Sequence, residues 1–268
     1  MNSKDVTVIL PVHDVSGKFN EWFPKAIKSL EQSQSKPNKT LIVCSTKNPD
    51  VTEFMSKWEK PSDLDIEVVS NTSEHDTFCG QVNFGVGLVE TEFFSILEFD
   101  DEYSNIWFKL FGVYSESYED VDMFLPLVVD TDEGGQFLGF TNEALWAAGF
   151  SEDIGYLDNN TLLKYQNFQV SGMIMRKSTF DDIGGMKSSI KLTFNYEFLL
   201  RATYNDCVIM SIPKVGYKHT NQRTKSLFWD YKFDNTMKLN PDEAKFWVEL
   251  AKKEYFFTTD REILYEVA

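Results

Sequence analysis

The chain is poor in cysteine and in long apolar runs, and both shortages narrow what it can be. Its three cysteines, Cys44, Cys79 and Cys207, lie far apart and form no Cys-x-x-Cys pair. An odd count of scattered cysteines is typical of a reducing compartment, so we expect a cytoplasmic location. The apolar stretch near the N-terminus is too short for a signal peptide. No later window approaches the roughly 18 apolar residues of a membrane span.

Basic residues are also scarce. Lysine and arginine total 26 against 42 aspartates and glutamates, which gives a formal net charge of −16. A chain this acidic repels polyanions over most of its surface, so nonspecific binding to nucleic acid or to anionic membranes is disfavoured. One local basic group, formed by Lys214, Lys218, Arg223 and Lys225, has two interpretations: it contacts a phosphate, or it is a solvated turn.

Apolar and aromatic residues are plentiful. The 268 residues are 42% hydrophobic and 15% aromatic, with 23 phenylalanines, which is ample for a substantial core. We expect one large α/β domain, alone or with a helical appendage, because two independent domains would each be small.

Apolar β-type runs alternate with helical patterns in the first part of the chain. Strands are predicted at 6–12, 39–46, 64–70 and 93–99, with helices between them, one of which contains several glycines. This alternation predicts right-handed crossovers and a mostly parallel central sheet flanked by helices. The pattern is irregular over 103–168, which predicts loops and short strands around a site. It becomes regular again afterwards, and a terminal helix is predicted from Pro241, with Asn240 as its N-cap.

The fourth predicted strand ends in a cluster of carboxylates: Glu98, Asp100, Asp101 and Glu102. The cluster lies at the carboxyl end of a parallel strand, which is where open α/β sheets bind ligands. Four carboxylates in five positions repel one another unless a positive charge lies on them. The cluster is therefore either solvated or a metal site.

Five segments carry motif-like residues in a fixed order along residues 6–226. They are VTVILPVHD, GQVNFGVGLVETEFFSILEFDD, STFDDIGGMK, NYEFLLRA and GYKHTNQRTKS. Each is weak alone, but in this order they resemble the family 2 glycosyltransferases, nucleotide-sugar enzymes of the GT-A fold. The resemblance implies a GT-A domain over 1–226, with a nucleotide-sugar-binding half at 1–102 and an acceptor-side half at 103–226. It leaves 227–268 as a C-terminal helical extension.

The resemblance also implies a reaction. A sugar would move from a nucleotide-diphosphate donor, expected to be a UDP-sugar, to a hydroxyl acceptor with inversion, and Mn²⁺ or Mg²⁺ would bridge the diphosphate oxygens. The Asp-x-Asp positions of the family fall on Glu98 and Asp100, with Asp101 following, and its late histidine falls on His219. Asp100 and His219 are thus the implied metal ligands, and Glu98 and Asp100 are implied donor contacts.

Further donor contacts are implied at the ends of the first two strands and beyond them. They are Pro11, Val12, Asp14, Ser45 and Asn83, with Lys218 and Arg223 near the phosphates. The family usually has carboxylates after its second strand, whereas this chain has Cys44 and Ser45 there, which leaves the base open. A structural role for Asn83 is as compatible with the pattern as a ligand contact.

The general base is the weakest part of the resemblance. The family's Glu-Asp pair falls on Phe194 and Asn195, neither of which can accept the acceptor proton. Glu197 is the nearest carboxylate, so Glu197 and Asp101 are the predicted catalytic residues, with Asp181 and Asp182 as further candidates. A shifted base, a retaining mechanism and loss of activity stay open, in that order.

Aromatic residues of the irregular middle are the predicted acceptor contacts, above all Phe140 and Trp146, with a place in the core as the alternative. The acceptor could be a glycan, a protein or a modified nucleotide.

Two other functions stay open. One is a noncatalytic nucleotide-sugar-binding module on the same scaffold. The other is a nucleotidyltransferase, which the lack of a glycine-rich basic loop after the first strand disfavours.

Overall fold

The computed structural model describes residues 1–143, 155–221 and 241–261. Its first half is a parallel sheet in the order β3-β2-β1-β4, with helices in the connections. The elements are β1 Val6–Val12, α1 Phe19–Glu31, β2 Lys39–Ser45, α2 Pro49–Lys57, β3 Ile66–Asn71, α3 Phe78–Gly87 and β4 Phe93–Ile96.

The second half extends the same sheet beyond β4, in the order β9-β6-β10-β5, while β7 pairs with β6 and β8 with β10. The strands are β5 Glu102–Tyr103, β6 Met123–Thr131, β7 Phe137–Thr141, β8 Tyr156–Leu157, β9 Ile174–Arg176 and β10 Ile209–Thr220. The helices are α4 Trp107–Ser117, α5 Asn159–Lys164, α6 Lys177–Asp182, α7 Phe194–Tyr204 and α8 Pro241–Glu254.

The predicted Rossmann-like α/β architecture is confirmed, and the parallel pairing holds throughout the first half. The second half is mixed, because β9 lies antiparallel to both β4 and β6, whereas β6 and β10 are parallel. The terminal helix is also confirmed from Pro241, although its predicted N-cap, Asn240, lies outside the described residues. In the part of the chain described, every helix is too short or too polar to span a bilayer.

Two apolar cores cover the two faces of the sheet. The seven residues of β1 are all buried, as expected of a strand covered on both faces. Val8 and Leu10 pack into the core that contains α1 and α2, while Ile9 packs into the core that contains α3 and α7. The chain thus holds the carboxyl end of β1 between two packed layers, which fixes the position of the residues that follow it.

The glycines of α3 allow that helix to lie very close to the sheet. A Cβ added at Gly85 would stand 2.8 Å from Cγ2 of Ile9 and 3.0 Å from Cγ2 of Val43. These are β-branched side chains of two buried strands, so neither can move away without disturbing the core. The close approach explains why the sequence places glycine on this face.

Replacing Gly85 with alanine is expected to lower the free energy of unfolding by about 1–3 kcal/mol, because the added methyl group overpacks the contact with β1 and β2. Chemical denaturation measures the change. Gly87→Ala is the matched control: nothing lies within 4 Å of the added Cβ, and alanine favours a helix. Equal stability of the two variants would contradict the packing argument.

Candidate functional site

The candidate site lies where β4 ends, beside the far end of β10. The chain turns sharply after β4, and the Asp101 amide donates to the Glu98 carbonyl at 3.1 Å. The Glu98 amide donates to the hydroxyl of Tyr217 at 3.0 Å, and its carboxylate accepts from the hydroxyl of Ser171 at 2.7 Å. Tyr217 is fully buried, so the turn is anchored on a rigid part of β10.

Asp101 joins this turn to the end of β10. Its carboxylate lies 3.0 Å from Nδ1 of His219 and accepts from the Thr220 amide at 2.7 Å. The hydroxyl of Thr220 donates to the Asp100 carbonyl at 2.6 Å. Asp101 is 1% exposed, so its negative charge is balanced inside the protein by these contacts.

The pKa values of two groups record the excess of negative charge. Burial lowers the pKa of His219, but the charge and hydrogen bond of Asp101, with Glu98 and Asp100, outweigh it and raise this pKa to about 10. Burial raises the pKa of Glu98 to about 7, and the charges of Asp101 and Asp100 act in the same direction. The site is therefore short of positive charge.

Glu98, Asp101 and His219 could hold a divalent ion. One ligand atom from each lies within 4.8 Å of the others, and carboxylate oxygen with imidazole nitrogen suits Mn²⁺. Because Nδ1 of His219 contacts Asp101, the arrangement resembles the carboxylate–histidine pairs that orient a metal-binding imidazole. The donor set and its surplus negative charge both fit a hard cation.

Of the two metal ligands that the resemblance implied, Asp100 and His219, this group contains only His219. The turn places Glu98 and Asp101, three residues apart, on the same side, whereas Asp100 is absent from the group that could share one ion. Asp100 is 7% exposed and lies beside the cluster, where its charge contributes to the raised pKa values of Glu98 and His219. A turn of this shape cannot be inferred from the acidic sequence alone.

The end of β6 adds a carboxylate that sequence reasoning did not select. Asp130 pairs in register with His219 on the adjacent parallel strand, so both side chains project from the same face of the sheet. Asp130 is 7% exposed, and its carboxylate accepts from the hydroxyl of Thr141 on β7. Burial raises its pKa, while that hydrogen bond and the charge of His219 oppose the rise. The signal available in the sequence was an acidic residue at the end of an apolar strand.

A second polar group lies at the ends of β1, β2 and β3. Asp76, in the loop before α3, accepts a hydrogen bond from the hydroxyl of Ser45 and lies 3.3 Å from Nε2 of Gln81. Asn71 donates weakly to the same carboxylate at 3.4 Å. Gln81 is fully buried, and its Oε1 has no hydrogen-bond partner among the described residues. Asp76 therefore supplies a carboxylate beside Ser45, where the second strand itself has none.

The structure places the predicted residues of β1 next to this group. Pro11 and Val12 are buried, and the Val12 carbonyl lies 3.4 Å from Nε2 of Gln81. Burial raises the pKa of Asp14, but hydrogen bonds from Ser16 dominate and hold it below the ordinary value. Pro11, Val12 and Ser45 thus lie at the adjacent ends of β1 and β2, while Asp14 follows β1 and contacts Ser16.

Asn83 has a structural role. Its amide nitrogen donates to the Met186 carbonyl at 2.7 Å, and its amide oxygen accepts from the Met186 amide at 2.8 Å. It holds the turn through Gly184 and Gly185, both of which have positive φ angles. Of the two interpretations left open by the sequence, the geometry favours this one over contact with a donor.

Glu197, a predicted catalytic residue, is fully buried in an ion cluster. Its two carboxylate oxygens lie 2.7 and 3.0 Å from Nε and Nη2 of Arg201, and Nζ of Lys187 lies 3.1 Å away. Arg201 also donates to the Ile183 carbonyl, and both cations are almost completely buried. A buried carboxylate engaged by two cations is poorly placed to accept a proton from an acceptor hydroxyl, so the geometry argues against Glu197 as the base.

The remaining predicted residues are divided. Lys218 precedes His219 in β10, so its side chain projects from the opposite face, where it pairs with Glu102 at 2.8 Å. Lys218 therefore projects away from the acid cluster, which consists of Glu98, Asp100, Asp101 and His219. Phe140 is 38% exposed on β7. Arg223 and Trp146 lie outside the described residues.

The two alternative base candidates, Asp181 and Asp182, lie on α6. Asp181 pairs with Lys177 one helical turn earlier, at 2.6 Å on the protein surface. Phe194 and Asn195, at the positions of the family's acidic pair, are partly buried, and the ring of Phe194 contacts that of Phe78. Nothing in this arrangement brings an α6 carboxylate to the acid cluster.

Comparison with known proteins gives structural matches only; no family model and no curated protein matches the sequence. Crystal structures of S. aureus TarS residues 1–349 are similar. The complex with UDP-GlcNAc has a TM-score of 0.64 and 13% identity, over 85% of this chain and 61% of that one. The complex with UDP has a TM-score of 0.64 and 12% identity, over 92% and 78%. The fold is of the glycosyltransferase type. This chain spans less than two thirds of the first TarS chain.

The buried ion cluster makes the structural role of Glu197 testable. Glu197→Ala is expected to lower the free energy of unfolding by about 3–5 kcal/mol, because it leaves Arg201 and Lys187 buried without their partner. Chemical denaturation measures it. Glu53→Ala breaks an exposed pair with Lys57 and should change stability little. A Glu197→Ala protein as stable as the parent would contradict the structural assignment.

Proposed function

We propose that the chain is a metal-dependent glycosyltransferase of the family 2, GT-A type, using a UDP-sugar donor. The observation that carries the proposal is the cluster of Glu98, Asp101 and His219 at the end of β4, on a glycosyltransferase-type fold. The similar TarS structures hold UDP-GlcNAc and UDP, which supports a nucleotide-sugar as ligand here. The GT-A domain would comprise residues 1–226, and residues 227–268 would extend it.

The donor nucleoside would lie over the ends of β1 and β2. Pro11 and Val12 form the floor, and Asp14 and Ser45 supply polar contacts. Asp76 takes the place of the carboxylate that is missing after β2, because it already accepts from Ser45 and can accept an imide N–H of the base in the same way. The buried Oε1 of Gln81 lies in the same group, so the pocket offers mainly acceptors.

The diphosphate would lie over the acid cluster. Bound Mn²⁺ or Mg²⁺ supplies the positive charge that stabilises the leaving nucleoside diphosphate. Glu98 and His219 would hold this ion, with Asp100 beside them, while Asp101 fixes the imidazole through Nδ1. Tyr217 and Ser171 in turn hold Glu98. The chain thereby fixes the ligand positions before a donor arrives, which lowers the cost of reorganisation.

Asp130 is the proposed general base. It would accept the proton of the acceptor hydroxyl while that oxygen forms a bond to the anomeric carbon of the donor. The bond between this carbon and the diphosphate oxygen breaks, and its electron pair leaves with the nucleoside diphosphate. A buried carboxylate with a raised pKa is a stronger base than an exposed one, which suits this step. Attack opposite the leaving group inverts the anomeric centre.

The exposed strand β7 would contact the acceptor. Phe137 is 53% exposed and Phe140 38%, and their rings meet at 5.0 Å in an edge arrangement. Exposed aromatic faces stack on sugar rings, so this pair suits a glycan or another ring-bearing acceptor. Phe140 lies opposite Val129 in register, whereas its neighbour Thr141 donates to Asp130, so the aromatic pair projects from the opposite face of the sheet to Asp130. An acceptor that contacts both would have to pass around strand β7.

A noncatalytic nucleotide-sugar-binding module is the second candidate. It is favoured by one observation: the position expected to carry the base holds Phe194 and Asn195, and nearby Glu197 is used in a buried ion cluster. Such a module would bind donor and release no UDP. Measured UDP release in the presence of any acceptor would exclude it.

The donor assignment is tested by thermal shift with a panel of nucleotide-sugars, with and without Mn²⁺. A UDP-sugar with Mn²⁺ is expected to raise Tm, because binding to the native state stabilises it by mass action. Glu98→Gln and His219→Ala should weaken the Mn²⁺-dependent part, and Asp76→Asn should weaken binding of UDP with and without metal. Asp63→Asn, which removes a charge paired with Lys36 on the protein surface, is the control. No shift with any nucleotide-sugar would contradict the proposal.

The base assignment is tested by Asp130→Asn. Transfer is expected to fall by about 10²–10⁴-fold, because the amide cannot take the acceptor proton, while the Kd for the donor stays within a few-fold. Asp132→Asn is the matched control, since Oδ1 of an asparagine can still accept the amide hydrogen bonds that Asp132 receives from Gly134 and Gln136. Full transfer activity in Asp130→Asn would show that another group is the base.

A further inference from the structure

A basic cleft lies on the opposite side of the β5–β10 pair from the acid cluster. It has a volume of about 300 Å³ and is lined by Lys25, Lys28, Gln32, Glu102 and Lys218. Three lysines and one glutamate leave a formal charge of 3 − 1 = +2, in a protein whose net charge is −16. This is a local reversal of the sign that dominates the molecule.

The lysines of α1 line one stripe of that helix. Lys25, Lys28 and Gln32 are spaced by three and four residues, so their side chains project in the same direction. Within the described residues, neither Lys25 nor Lys28 lies within 4.0 Å of a carboxylate, in contrast to Lys218, which pairs with Glu102 at 2.8 Å. The carbonyl end of α1 attracts Lys28 in its last turn, but Lys25 lies nearly a turn earlier. The cleft therefore offers two ammonium groups that make no close ion pair within the described residues.

The far wall of the cleft is continuous with the acid cluster. Glu102 follows Asp101 and Lys218 precedes His219, and the backbones of Glu102 and Lys218 pair across the two strands. Successive side chains of a strand point to opposite faces. β10 thus directs His219 to one face and Lys218 to the cleft, where Lys218 pairs with Glu102 at the start of β5. The anchor between the layers is the hydrogen bond from the Tyr103 amide to the hydroxyl of Ser29 on α1, at 3.1 Å.

We propose that this cleft binds a phosphoryl group, with Lys25, Lys28 and Gln32 as donors and the Lys218–Glu102 pair as its far wall. Ammonium groups and an amide nitrogen make charge-assisted hydrogen bonds to phosphate oxygens. The acidic remainder of the surface repels an anion, so the local positive field selects this place. The phosphoryl group is either free inorganic phosphate or part of a chain held as a phosphodiester.

Calorimetric titration of inorganic phosphate into the full chain, in EDTA so that the acid cluster holds no metal, tests the site. Saturable binding is expected. Lys25→Gln/Lys28→Gln should weaken it at least about tenfold, because two charge-assisted hydrogen bonds are lost. Lys57→Gln/Lys253→Gln makes the same charge change at exposed positions elsewhere and should alter the affinity less than about twofold. Circular dichroism of both variants verifies the fold.

Titration of a second ligand, dimethyl phosphate, shows whether the bound phosphoryl group is free phosphate or part of a phosphodiester chain. Binding of the diester at least as tight as that of phosphate identifies a site for a phosphodiester chain, whereas binding of phosphate alone identifies a free-anion site. The proposal is overturned if neither ligand binds, or if the two double variants lose affinity equally. These titrations contain no nucleotide-sugar and measure no turnover, so their outcome is independent of the glycosyltransferase proposal.

Discussion

The buried contact between Asp101 and His219 is the interaction on which the candidate site depends. It connects the turn after β4 to the end of β10, next to the short pairing of β5 with β10, and so joins two segments that are far apart in sequence. A buried carboxylate is costly unless it is paired, and here the imidazole and the Thr220 amide both pair with it. Loss of this contact would leave the turn held through Glu98 and the Asp100 carbonyl.

The same contact explains the electrostatics of the site. One histidine faces Asp101, Glu98 and Asp100, so its positive charge cannot neutralise them all. The pKa of Glu98 is raised because its carboxyl group is buried and because ionising it adds a further negative charge beside Asp101 and Asp100. The fold maintains this imbalance through the Tyr217 and Ser171 contacts, which hold Glu98 in position. A site built in this way is suited to a ligand of positive charge.

The sequence was sufficient for the framework and for the position of the candidate site in the sheet. Apolar runs and helical spacing predicted the order of strands and helices in the first half, and the acids at the end of the fourth strand were found from their position alone. Which acids act together was out of reach, because it depends on the turn that brings Glu98 and Asp101 to one side. Asp76 was missed for a similar reason: it comes from a loop, and only the folded chain brings it to Ser45.

The surroundings of Glu197 show a general limit of reading a sequence. A helical glutamate near an expected catalytic position looks available in sequence, but its partners, Lys187 from the preceding loop and Arg201 one turn later, are chosen by packing. Lys187 also donates to the Glu254 carbonyl, so the ion cluster ties α7 to the end of the terminal helix. Using the Glu197 carboxylate as a base would leave Arg201 and Lys187 buried without their partner, so a base at this position would conflict with stability. Asp130 differs, because backbone pairing with β10 sets its position and its carboxylate accepts from the hydroxyl of Thr141 instead of from buried lysine and arginine side chains.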